Sequence, residues 1–115
     1  MKHSAIYRRW DVVVVPYPFI EGNEAKKRPA LVVSTDALRD SHELYWIVMI
    51  TTAKAGSLTG DIAIGDPAAI GLPDQCVVRP SRLTTLASGQ IERRIGTLAP
   101  KERRAVAAAL KRFLP

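Results

Sequence analysis

One cysteine, Cys76, occurs in the 115 residues of this chain. A single thiol forms no intrachain disulfide, and with only two histidines, His3 and His42, it leaves no ligand set for a zinc cluster. A reducing, cytoplasmic setting is the expectation. Long apolar runs are missing as well: none approaches the roughly eighteen residues of a membrane span, and the N-terminus has no apolar h-region. There is no Gly-Lys-Ser/Thr phosphate loop, no Gly-x-Ser-x-Gly elbow and no His-Glu-x-x-His. The chemistries those motifs carry are thereby set aside. The acids are scattered singly, so no metal is expected, and no cofactor is implied. His3 and His42 fall in a polar lead-in and a loop and read as surface residues. Cys76, at the start of a strand, reads as a small core residue rather than a nucleophile.

What is present is a chain that is 47% apolar with seven glycines, enough to bury one core in a single domain over residues 1–115. Its charge is unevenly spread. Residues 1–78 carry eight Lys/Arg against nine Asp/Glu, whereas residues 79–115 carry nine against two, a net of +7. Such an imbalance suits a polyanionic partner, either nucleic acid or an acidic protein segment.

Read in order, residues 1–9 form a short polar lead-in. Trp10 to Val15 reads as a strand apolar on both faces, stopped by Pro16 and Pro18. Residues 17–27 make a polar loop long enough to act as a flap. Strands are expected over Ala30–Thr35, Leu44–Ile50, Asp61–Gly65, Gln75–Val78 and Arg82–Leu86, with a short helical turn from Thr35 to Arg39. Ile91 to Leu98 is ambiguous. Pro100–Phe113 is the one clear helix: proline opens it, and Val106, Ala109, Leu110 and Phe113 fall on one apolar face. Short strands followed by a terminal helix imply a mainly β (α+β) fold, a small open β-barrel capped by an amphipathic helix.

The charged stretch Lys26-Lys27-Arg28 runs into the β-branched segment from Pro29, with proline suited to a strand's first position. Arg28 is then held at a strand mouth, either as a solubilising loop charge or as a bidentate grip on a phosphate. Thr51-Thr52 closes another strand. If the two strands are antiparallel neighbours, the guanidinium and both hydroxyls emerge at the same rim.

Taken together, Trp10-Asp-Val-Val-Val-Val-Pro-Tyr-Pro-Phe19, Lys27-Arg28-Pro29-Ala30-Leu-Val-Val-Ser34, Ile50-Thr51-Thr52, Pro73-Asp74-Gln75, Arg82-Leu83 and Ile95-Gly96-Thr97-Leu98 resemble the MazF/PemK toxin family in order and spacing. The resemblance runs from about residue 8 to the end. It implies a dimeric SH3-like barrel, an endoribonuclease that cleaves single-stranded RNA without metal or cofactor, silenced by an acidic antitoxin. By motif position the catalytic residues are Arg28 and Thr51 and the substrate-contacting pair is Asp74-Gln75; Thr52 and Asp74 are the candidates for catalytic support. RNA contacts are expected from Lys26, Lys27, Gln75 and Lys54, and by stacking from Tyr17 and Phe19. Two positions depart from the family pattern: Trp10 stands where glycine is usual, and Leu72 where some members carry a second arginine. The alternatives are a non-enzymatic gyrase poison on the same barrel, or a binding module for RNA or protein.

Overall fold

In a computed structural model of the chain, residues 5–17 and 26–115 are described. Six strands form one antiparallel sheet: β1 (Asp11–Tyr17), β2 (Lys26–Val32), β3 (Leu44–Thr52), β4 (Ile62–Ala63), β5 (Cys76–Ala87) and β6 (Arg93–Thr97). Their spatial order is β4-β5-β3-β2-β1-β6, so the two edge strands stay unpaired with each other and the curled sheet is a half-barrel. Helix α1 (Asp36–His42) links β2 to β3, and α2 (Pro100–Phe113) ends the chain.

β1 is apolar on both faces because both are covered. Val12 packs with Leu31, Val48, Val78, Leu98 and Val106 of α2, while Val13 and Val15 pack on the other side with Val32, Ile47 and Ile91. Full burial of each such side chain contributes on the order of 1.5–3 kcal/mol. Within α2, Val106 and Ala109 are buried as the periodicity predicts. Phe113 is not: it is half exposed, its ring lying against the backbone of Gly60. The helix start is pinned to the barrel by Glu102, whose Oε2 accepts from the Gly65 N–H at 2.6 Å, and by Arg103, whose Nε donates to the Leu98 carbonyl at 2.6 Å.

Several expectations need correcting: β1 runs through Pro16 to Tyr17 instead of stopping at the proline, and the strand expected over 61–65 is only the two-residue β4. The lead-in is not wholly polar: Tyr7 is buried, its ring packed edge-on against Tyr45 at 5.6 Å, and its backbone N–H donates to the Tyr45 hydroxyl. A single aromatic in a polar stretch produces no periodicity to reveal it. α1 runs on through His42, ending at Glu43 in the left-handed region. β2 begins at Lys26 rather than Ala30, because pairing with β1 extends back to Tyr17↔Lys26. The two short strands expected at 75–78 and 82–86 are one long strand, β5, interrupted on its β3 side. There Val48 faces Leu83 but Met49 faces Arg79, so Pro80, Ser81 and Arg82 bulge out without partners on β3. Ile91–Leu98, ambiguous in the sequence, supplies β6.

Candidate active site

Pro29 lies inside β2, not at its start, and its position explains an opening in the sheet. Along β2 the backbone groups alternate between neighbours. Val32 accepts from the Trp10 N–H on the β1 side, and Val33 donates to the Trp46 carbonyl on the β3 side. Odd-numbered residues therefore face β3, and Pro29, which has no N–H, is one of them. The β2–β3 ladder stops at Ala30↔Met49. Continued by two residues, the same register would set Thr51 opposite Arg28. The strands instead part at that point, and a cavity of about 360 Å³ opens between them.

Arg28, Thr51, Thr52 and Tyr17 line this cavity. So do Arg79 and Arg82, which no motif marks as site residues. Both stand at the β5 bulge, a device that re-aims side chains beside functional sites. A bulge is invisible in a linear pattern, although Arg82 belonged to one of the motifs above. Arg79 is committed: it donates from Nε to Asp61 Oδ1 at 3.1 Å and from Nη2 to Asp61 Oδ2 at 2.9 Å, and Nη2 also reaches the Gly56 carbonyl at 3.0 Å. The Arg79 hydrogen bonds hold the Asp61 carboxyl below its ordinary range, and the Leu58 N–H adds to the effect. This clasp folds the 56–61 loop against β5. Arg28 and Arg82, by contrast, have no ion pair or side-chain hydrogen bond among the described residues.

A second cavity of about 700 Å³ lies on the other side of Arg28. It is lined by Lys27, Asp74, Arg93 and Arg94, and it shares Arg28, Pro29, Thr52 and Cys76 with the first. Lys27 is paired with Glu92 at 2.6 Å. Cys76 is buried between the two cavities, and burial, with the Asp74 charge behind it, pushes its thiol up, so it stays protonated.

The structure thus brings Arg28, Thr51, Thr52 and Tyr17 to one cavity, and Lys27 and Asp74 to its neighbour. Three expected residues line neither. Lys26 and Lys54 are exposed nearby, and Gln75 is engaged in holding the barrel together, its amide donating to the Ile64 carbonyl at 2.9 Å. Phe19 lies outside the described residues. Among the described residues no group of three or more His, Cys, Asp or Glu is placed to hold a metal ion, and no helix is long and apolar enough to cross a membrane.

A half-barrel whose strands β2 and β3 part beside Arg28, Thr51 and Thr52 defines a small α+β domain with a cavity lined by arginines and threonines. The sequence profile of the family described as PemK-like, MazF-like toxin of type II toxin-antitoxin system matches residues 8–114, and the chain belongs to that family. Its fold is similar to that of Mycobacterium tuberculosis toxin MazF-mt6, at 22% identity over 89% of this chain and 93% of that one, with TM-score 0.72. It is also similar to MazF from Deinococcus radiodurans, at 19% identity over 95% and 96% of the two chains and TM-score 0.76. A third likeness is to an endoribonuclease from Mycobacterial species in complex with its cognate antitoxin, at 20% identity over 96% and 98% and TM-score 0.75. At these identities the likenesses speak for the fold. No curated protein sequence matches the chain.

Proposed function

We propose that the chain is a metal-independent endoribonuclease toxin that cleaves single-stranded RNA by attack of the substrate's own 2′-OH on the adjacent phosphate. The observation that carries this reading is Arg28, unpaired among the described residues, on the cavity that also receives Thr51 and Thr52. In the reaction the O2′–P bond forms, the P–O5′ bond breaks and the departing O5′ takes a proton from solvent water, so the products carry a 2′,3′-cyclic phosphate and a 5′-OH. Arg28 donates two parallel hydrogen bonds to the non-bridging oxygens, and the Thr51 hydroxyl donates a third. Guanidinium groups stay charged in proteins, so Arg28 acts as a donor and the base is another group. Asp74, which shares the lining of the second cavity with Arg28, is the proposed acceptor of the 2′-proton, and Thr52, on both linings, is its proposed support. Tyr17 is a stacking surface for an unpaired base.

The proposed partners follow from the family: a second copy of the chain, and an acidic antitoxin segment that occupies the phosphate site and competes with RNA. Self-association is supported by an apolar groove of about 1040 Å³ in which Trp46, Leu83 and Leu114 stand uncovered. The test is cleavage of a single-stranded RNA oligonucleotide in EDTA, with product ends identified by mass spectrometry. Cleavage that persists and leaves cyclic phosphate supports the reading. Loss of cleavage on chelation, or 3′-OH products, overturns it, and an intact total RNA pool alongside inhibited DNA gyrase would assign the barrel to a non-enzymatic poison.

A further inference from the structure

Among the described residues, six arginine and lysine side chains are already occupied. Arg39 is paired with Asp36 and Asp40, Arg79 with Asp61, Lys27 with Glu92, and Arg94 contacts Thr97 and Asp11. Arg9 lies over the Trp10 ring, and Arg103 caps a carbonyl. Three arginines that line the cavities have no ion pair or side-chain hydrogen bond among the described residues: Arg82, Arg28 and Arg93. Arg82 stands in the first cavity, Arg93 in the second, and Arg28 on the wall the two share. The linings of the two cavities hold one acid, Asp74. Unneutralised guanidiniums on adjoining cavities repel one another unless anions lie between them.

We propose that the two cavities form one continuous track for single-stranded RNA, in which Arg82 and Arg93 bind the phosphates that flank the one held by Arg28. The proposal rests on the ribonuclease reading for the identity of the polyanion, and it adds what that reading lacks, namely where the strand enters and leaves. The β5 bulge and the register break between Val12 and Val13 on the β1–β6 pair bracket the track. The two flanking arginines are therefore carried on opposite sides of the β2–β3 opening. Such contacts work by counterion release and are indifferent to base identity.

Each phosphate contact to a single strand contributes about 0.7 to the slope of log K against log salt, which is about fivefold in affinity at 0.1 M relative to 1 M salt. The experiment titrates a fluorescein-labelled 12-nucleotide single-stranded RNA into the Thr51→Ala protein, so that binding is read without turnover, over a series of salt concentrations. Arg82→Gln and Arg93→Gln are each expected to lower the slope by about 0.7 and to weaken binding about fivefold at 0.1 M salt. Arg112→Gln, an exposed cation away from both cavities, controls for net charge. Thermal melts establish that all variants remain folded. If Arg93→Gln behaves as Arg112→Gln does, the second cavity is off the track and the proposal falls while the ribonuclease reading stands. If the Thr51→Ala protein binds no RNA, that reading fails and takes the track with it. A parallel titration with a labelled 12-residue polyglutamate distinguishes the ligand: loss of that binding alone, with RNA binding intact, assigns both arginines to an acidic protein partner and overturns the proposal.

Discussion

Restoring a single N–H at position 29 tests whether the cavity owes its existence to proline. In Pro29→Ala the new donor points at β3, where Ile50 is the residue in register, and the ladder gains the pair it lacks. One backbone hydrogen bond adds about 0.5–1.5 kcal/mol to stability. Against it stands the looser unfolded chain that loses proline's constraint, a cost of about 0.4–1 kcal/mol. The two nearly cancel, so the variant's unfolding free energy is expected within about 1 kcal/mol of the parent. Activity is not expected to follow stability. Zipping β2 to β3 draws Arg28 towards Thr51 and narrows the opening that receives the phosphate, and a displacement of about 1 Å at a reacting centre costs about a hundredfold in rate. The assays are urea unfolding, hydrogen exchange at residue 29 and initial rates on a fluorogenic RNA. A protected amide with unchanged stability and strongly reduced rate is the expected outcome. Full activity with a protected amide 29 would refute the reasoning, since the ladder would then have closed without closing the site.

Arg28→Ala and Thr51→Ala should each lower cleavage about 10²–10³-fold without loss of fold, because neither side chain is buried in the core; a fully active Arg28→Lys would contradict the bidentate grip. Asp61→Asn breaks the clasp from one side of a part-buried pair and should cost about 1–3 kcal/mol at neutral pH. The Arg79 hydrogen bonds lower the folded-state value of Asp61 below its ordinary 3.8, so that stability is present above 3.8 and is lost as pH falls through the folded value. Urea unfolding of parent and variant should therefore converge only in acid, and a gap unchanged down to pH 2 would argue against the pair. Trp10 holds φ at 78°, a left-handed conformation costing about 1–2 kcal/mol for a residue with a Cβ. Trp10→Ala should accordingly be less stable than Trp10→Gly by about 1 kcal/mol, and an order reversed in chemical unfolding would show that the turn relaxes.

How far the sequence alone reached can be judged from particular residues. The β-branched run Val12–Val15, the apolar run in β3 and the period of α2 are local patterns, and each was legible because side-chain spacing reports directly on which faces are buried. The family was legible too, since its motifs are contiguous, and with it came Arg28, Thr51, Thr52 and Asp74, which the fold gathers around two adjoining cavities. Lys26, Lys54 and Gln75 belong to the same motifs or lie beside them, yet line neither cavity, because nearness in sequence does not set the direction of a side chain. Tyr7 joins the core through Tyr45, 38 residues away, a contact no window of sequence contains. Pro29 was visible as a residue but not as the end of a ladder, because its missing N–H matters only once the parity of β2 against β3 is known. Likewise Arg79 and Arg82 reach the site only because β5 slips its register past β3, and Arg93 reaches the trough only because β6 closes onto β1. Those are pairings between segments far apart in the chain, decided by which strands find each other when the sheet curls.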